Sequence, residues 1–253
     1  SSDVCSSDLK EQTIDLIDKI CNEQVGPYID KSYAELADYM NAYDNKMSMK
    51  RESIADRGIW TAKKRYILHV YDTEGVRYAE PKLKIMGIEA VRSSTPGSCR
   101  SKIKDALKII MTKEEDDLIQ FVSEFKEQFI KMSPEEIAFP RTVNGLSNYK
   151  DKTNIYKKAT PIHVRGSLLY NHLLNKHGLV NTYSSINEGE KIKFIFLREP
   201  NTIQSNVIAF PQGGIPDEFG LNSYVDYETQ FIKSFLDPLE IILHSIGWKS
   251  EKS

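Results

Sequence analysis

Four consecutive residues, Lys63-Lys64-Arg65-Tyr66, place three cationic side chains beside an aromatic ring with a polar tip. Such a string can meet phosphate oxygens or the acceptors of a nucleic-acid minor groove. Read as the start of a strand, it alternates Lys63 and Arg65 to one face and Lys64 and Tyr66 to the other, so each face carries a base. Further along, Lys82, Lys84 and Arg92 add bases, and Arg92 runs into Ser93-Ser94-Thr95-Pro96. There Thr95 reads as a helix N-cap with Pro96 at the first helical position. The hydroxyls and amides of Ser93, Ser94 and Thr95 would then sit at a helix N-terminus, where an anion is held favourably. Gly87, between the two clusters, suits a turn or a close backbone approach.

Other groupings carry less. His163, His172 and His177 fall on different helix faces with no acidic partner at ligand spacing, so capping or solvated histidines are expected there rather than a metal site. Phe121, Phe125 and Phe129 repeat every four residues, which makes one apolar helix face and favours core packing over base stacking. Cys21 and Cys99 stand far apart without a Cys-x-x-Cys pair, against structural zinc and thiol redox chemistry.

Charge is distributed unevenly. Lys46 to Lys108 holds fifteen bases against seven acids, a surplus of eight, so with a total of -2 the remainder has ten more acids than bases. A basic block inside an acidic chain points to a polyanion-binding face. The 253 residues are 40% hydrophobic, without a disulfide framework or collagen repeat, and suffice for one large or two modest domains. No apolar run approaches the roughly 18 to 20 residues of a membrane span, and no basic n-region precedes an apolar stretch at the start. The expectation is a soluble, unsecreted protein. Ser1-Ser2-Asp3 recurs as Ser6-Ser7-Asp8, and Ser1 to Leu9 looks like adapter-derived sequence, a natural terminus being the other reading.

The elements that must position these residues follow from periodicity. A helix from Leu9 to Val25 is expected, interrupted at Gly26-Pro27, then a second with Ile29, Tyr33, Leu36, Ala37 and Met40 on one side. Trp60 to Tyr71 reads as a strand, Asp72-Thr73-Glu74-Gly75 as an exposed turn, and Val76 to Ile85 as the returning strand. Helices resume with Ile103, Leu107, Ile110 and Met111, then Leu118, Val122, Phe125 and Phe129 behind the acidic start Glu114 to Asp117. A helix over about 162–176 stops at Gly178, Ile192, Phe194 and Phe196 alternate as a strand that can pair with 206–210, and Asp226 to Ser245 closes as a helix broken or kinked at Pro238. The class is α+β, helices plus an antiparallel hairpin followed by a mainly helical part with a small β element, with a boundary near residue 90.

Three strings in order, Trp60-Thr61-Ala62-Lys63-Lys64-Arg65-Tyr66, Gly75-Val76-Arg77-Tyr78-Ala79-Glu80-Pro81-Lys82-Leu83-Lys84-Ile85-Met86-Gly87-Ile88-Glu89, and Arg92-Ser93-Ser94-Thr95-Pro96, resemble the carboxy-terminal part of family B DNA polymerases, most closely those of T-even-like tailed phages. His163-Val164-Arg165-Gly166, Tyr170-Asn171, Glu188-Gly189-Glu190-Lys191 and Ala209-Phe210-Pro211 continue the likeness. The resemblance implies that 10–90 is the last part of a polymerase palm and 91–253 the thumb. It implies primer-template contacts at Lys63, Lys64, Arg65 and Tyr66, then at Lys82, Lys84, Arg92, Ser93 and Ser94, and on the thumb at His163, Arg165 and Lys191. Arg51-Glu52 matches a family segment whose glutamate stands near the metals through water, although Lys50 occupies a place where the family usually has Asp.

The family's parent reaction is template-directed nucleotidyl transfer from deoxynucleoside triphosphates with Mg2+, in the cytoplasm of an infected bacterium. Its two catalytic aspartate motifs do not occur in this sequence, so no catalytic residue and no bound metal are expected in it. Tyr71-Asp72-Thr73-Glu74 is a near miss that lies after the Lys-Lys-Arg-Tyr string rather than before it, and reads as a turn. The hydrophobic peptide with which the family docks on a sliding clamp is not found at Trp248-Lys249-Ser250-Glu251-Lys252-Ser253. The alternative is a free-standing, non-enzymatic nucleic-acid-binding protein of palm-thumb ancestry. A polyphosphate or membrane-surface binder is disfavoured, since no basic amphipathic helix with an exposed aromatic face is present.

Overall fold

A computed structural model describes residues 2–88, 92–151 and 153–251, with side chains from residue 11 onward. Ser1, Glu89 and the boundary at 90 lie outside the described residues. The chain divides into two compact units, Ser1–Trp60 with Tyr66–Ile85, and Thr61–Arg65 with Met86–Ser253. No described helix is long and apolar enough to cross a membrane.

In the first unit, helix α1 (Ser2–Ile20) continues through a π-helical turn (Cys21–Val25) into α2 (Gly26–Tyr39). Gly26-Pro27 therefore does not interrupt the helix. The Gly26 N–H donates to the Cys21 carbonyl, five residues back, and the widened turn makes room where a proline ring would otherwise strike the carbonyl four residues before it. The same device recurs in the second unit. A π-helical turn (Ile232–Leu236) precedes Pro238 and joins α8 (Tyr227–Phe231) to α9 (Asp237–Ile246). The expected break at that proline is thus a local widening.

Three strands, β1 (Ser53–Ala62), β2 (Arg65–Thr73) and β3 (Val76–Met86), form a sheet in that order. Their β-branched and aromatic residues favour a pleated surface, and Ile54, Ile67 and Val70 are buried. The β2–β3 turn is Glu74-Gly75, both left-handed at φ +53 and +85, the geometry whose twist matches paired strands. Asp72 corrects the expectation of an exposed turn: it is buried, and its carboxylate accepts from the Gly75 N–H at 3.0 Å.

The second unit holds α3 (Gly97–Thr112), α4 (Glu115–Phe129), α5 (Pro134–Ile137), β4 (Phe139–Thr142), α6 (Leu146–Tyr149), α7 (Ile162–Lys176), β5 (Lys191–Phe196) and β6 (Val207–Phe210) ahead of α8 and α9. Glu114 caps α4 reciprocally with Asp117, satisfying amides that helix geometry leaves unpaired. The Phe125 ring lies 4.8 to 5.8 Å from those of Phe129, Phe231 and Phe235. Each such buried ring contributes about 1.5–3 kcal/mol by removal from water, so Phe125 and Phe129 are core, whereas Phe121, the first of the repeat, is only half-buried.

The second sheet runs β4-β5-β6, antiparallel, with Arg141 opposite Ile192 and Phe194 opposite Ala209. Strand β4 was not foreseen, because Pro140 argues against a strand. It is an edge strand, where a missing N–H is tolerated. Helix α7 covers the sheet at Gly166, where a Cβ would fall 2.7 Å from the Ala209 nitrogen.

Candidate nucleic-acid interface

Lys63 and Lys64 are not strand residues but the two-residue turn between β1 and β2, with Lys64 at φ +63. The expected alternation of faces therefore fails for them, since a reversing backbone does not keep the period of two. Lys63, Lys64 and Arg65 are exposed and make no side-chain ion pair among the described residues. Three cationic groups at a hairpin tip can reach a phosphate backbone with little loss of hydration elsewhere. Tyr66, the next residue of β2, is half-buried.

In the first unit, Lys84 donates to the Glu52 carboxylate, which raises its pKa, mainly through that hydrogen bond. Lys82 is exposed, with its ammonium 4.1 Å from the centre of the Tyr78 ring. Hence Lys82 is available to a phosphate, whereas Lys84 is already neutralised. Arg51 Nη1 lies 2.7 Å from Asp72, and Arg51 Nη2 lies 2.6 Å from Asp18 on α1. Arg77 reaches Asp72 at 3.4 Å and Asp15 at 2.9 Å. Burial alone would raise the Asp72 carboxyl, but hydrogen bonds from Arg51, the Gly75 amide and Arg77 outweigh it and hold the pKa below the usual carboxylate range. Glu52 and Asp72 are thus committed to cations, and neither offers a carboxylate to a metal. Among the described residues no cluster of three metal-ligating side chains occurs.

In the second unit, Arg92, Ser94 and Thr95 line a cavity of about 350 Å³ together with Phe139, Arg141, Lys233 and Asp237. Arg141 Nη1 donates to the Ser94 carbonyl at 2.8 Å, and Lys233 pairs with Asp237 at 2.8 Å. Arg92, Arg141 and Lys233 thus stand beside Asp237 in the cavity lining. Sequence reasoning missed Arg141 and Lys233, which lie 33 and 125 positions beyond Lys108, the last base of the block, and carry no local signature. Ser93 is exposed and Ser94 half-buried. Thr95 is not the N-cap: it is buried, its N–H donates to the Arg92 carbonyl at 3.3 Å, and Pro96 stands at the cap before Gly97. Its amide is therefore used within the turn, as the residue before a proline avoids helical geometry.

His163 and Arg165 occupy the first turn of α7. Burial, then the charge of Arg141, lowers the His163 pKa. Arg165 donates to Asn206 at 2.6 Å and lies 5.9 Å from the centre of the Tyr156 ring, which ties α7 to the chain entering β6. Lys191 is exposed at the far end of β5: Asn206 faces Leu197, six residues away, about 20 Å along a strand. These three residues do not converge.

The chain is similar to the DNA-directed DNA polymerase of Enterobacteria phage T4, 34% identical over 256 residues that cover 96% of this chain and 28% of that protein. It is also similar to the DNA-directed DNA polymerase of Escherichia phage RB69, 35% identical over 240 residues covering 90% of this chain and 26% of that protein. The chain spans about a quarter of the length of the curated relatives it matches. No family model matches it.

Proposed function

We propose, on the premise that the chain is homologous to part of the phage DNA-directed DNA polymerases, that it grips primer-template duplex DNA during template-directed nucleotidyl transfer. The observation that carries this reading is the exposed Lys63-Lys64-Arg65 hairpin tip, unpaired among the described residues, within a basic block of an otherwise acidic chain. Residues 10–90 correspond in this reading to the end of a palm and 91–253 to a thumb. In this reading Tyr66 and Lys82 of the first unit contact DNA, as do Lys63, Lys64, Arg65, Arg92, Ser93 and Ser94 of the second, each within its own unit. In the first unit Lys84 is held by Glu52, and within the second unit Arg141 and Lys233 add to Arg92. His163, Arg165 and Lys191 contribute at separate points in this reading.

The whole protein would take deoxynucleoside triphosphates and Mg2+ in the host cytoplasm. Mg2+ supplies charge stabilisation at the transferring phosphoryl group when bound. The carboxylates at Glu52 and Asp72 do not fit that ion, being held by Lys84, Arg51 and Arg77. What this chain's residues supply is position: cations spaced along a backbone whose charges recur every few ångströms. A sliding clamp belongs to the family's wider machinery and is a further partner in this reading.

The test is duplex binding as a function of salt. Backbone-dominated contacts make affinity fall steeply as salt rises while remaining tolerant of sequence. An affinity that stays constant from low to high salt would overturn the proposal.

A further inference from the structure

We infer that Gly87 is a positioning residue for the Lys63-Lys64 turn, acting through a backbone contact that only glycine permits. The inference rests on the reading of these lysines as phosphate-binding groups. Gly87 follows β3 in the left-handed region at φ +67. A Cβ on it would press into the carbonyl oxygen of Lys64, deep inside van der Waals contact, and would fall 3.1 Å from Arg65 Cγ. The obstructing atom is backbone, so it cannot swing aside as a side-chain tip can. Gly75 supplies the contrast: it also has positive φ, at +85, but a Cβ there would meet nothing within 4 Å. Gly75 answers only to its turn, whereas Gly87 answers to a turn and to a neighbour.

Lys64 is itself strained. A non-glycine residue in the left-handed region is disfavoured by its Cβ, and such a conformation persists where its surroundings over-determine it. The seat formed at Gly87 is one such surrounding. Thr61 completes the tip by donating its hydroxyl to the Arg65 carbonyl at 3.4 Å. The lysine side chains are exposed, so what the seat fixes is the point from which two ammonium groups project. Five residues beyond Gly87 the chain reaches Arg92, at most about 18 Å away by chain length. Gly87 therefore holds the turn and the Arg92-Ser93-Ser94 segment within the span of a few phosphates of one strand.

The experiment uses the full chain and Gly87→Ala. Amide hydrogen exchange over 61–65 should quicken while α4 and α7 exchange as before. Duplex affinity at fixed salt should drop about tenfold with a shallower salt dependence, and Gly87→Ala should add little to Lys63→Ala/Lys64→Ala. Should Gly87→Ala fail to fold, Gly87→Asn tolerates positive φ while still setting a Cβ against Lys64. Unchanged exchange at 61–65 overturns the positioning role whatever the DNA result. An undiminished further loss in the double-lysine background overturns its connection to DNA. If the unaltered chain does not bind duplex, the DNA reading fails, and the exchange measurement alone decides whether Gly87 seats the turn.

Discussion

Asp72 Oδ1 lies 2.7 Å from Arg51 Nη1, with the Asp72 side chain 3% and the Arg51 side chain 12% exposed. This pair links the end of β2 to the segment before β1, and Asp18 extends it to α1. Breaking a buried pair from one side leaves the other charge stranded, typically for about 3–5 kcal/mol. Arg51 keeps Asp18, so Asp72→Ala should destabilise the chain by about 3 kcal/mol, at the lower end of that range. Asp72→Asn, which can still accept from Arg51, should lose less. Urea unfolding followed by circular dichroism measures both, and an unshifted midpoint in Asp72→Ala would show that the pair does not hold the hairpin.

The same pair sets an acid limb. The Asp72 carboxyl is held below its ordinary value, so the folded state binds fewer protons than the unfolded chain at mildly acid pH. Its stabilising contribution is fully present above the ordinary carboxylate value of about 4 and is lost as pH falls through the lower folded value. Stability measured against pH should therefore decline below about pH 4 in the parent chain, and Asp72→Asn should flatten part of that decline. Parallel profiles for the two proteins would rule Asp72 out as the source.

Replacing Lys63 and Lys64 together with alanine should weaken duplex binding alike on unrelated sequences. Two lost phosphate contacts lower the slope of log affinity against log salt by about 1.8. Fluorescence anisotropy over a salt series on two duplexes of different sequence reads both quantities. A loss confined to one duplex would point to base recognition at the turn.

How far the sequence led depended on what each residue announces locally. Glu74-Gly75 was legible because glycine marks positive φ, and the phenylalanine repeat because a period of four has one meaning on a helix. The Lys63-Lys64 turn was not: neither lysine is a turn former, and the β-rich residues on both sides read as one continuous strand. Gly26-Pro27 and Pro238 looked like breaks because proline opposes an α-helix, and only coordinates reveal that a π-helical turn makes room for it. The basic tip was legible as charge. The partners that commit Lys84 and Asp72, and the cavity joining Arg92 to Arg141 and Lys233, arise from long-range contacts that no spacing encodes.

His163 offers a probe of where DNA lies on the second unit. Burial and Arg141 depress its pKa, so the neutral ring is favoured and its contribution to stability is lost as pH falls below about 6.5. A phosphate placed beside the ring would favour the cation and raise the pKa. Titration of the His163 ring proton by NMR, with and without duplex, should show that upward shift if this turn of α7 touches the backbone. An identical titration in both would remove His163 from the interface.

Gly166 tests the packing that supports α7, and two opposing effects give the prediction its sign. Within a helix, glycine to alanine is favourable by about 1 kcal/mol, because alanine loses less backbone entropy and exposes less of the backbone to water. Here the new methyl would fall 2.7 Å from the Ala209 nitrogen and 3.0 Å from the Ile208 carbonyl carbon, both backbone atoms of β6. Relief requires α7 and β6 to move apart, which loosens packing around elements whose Val164, Leu168, Ile208 and Phe210 are all buried. Overpacking of this kind costs about 1–3 kcal/mol and, with two backbone atoms in the way, should outweigh the helical gain, leaving Gly166→Ala destabilised by up to about 2 kcal/mol. Thermal unfolding decides the sign. Because Arg165 is anchored to Asn206 beside this contact, the same variant should also loosen the start of α7, visible as faster amide exchange there, while α4 remains protected. A variant that melts higher than the parent would show that α7 is not seated on β6 through Gly166.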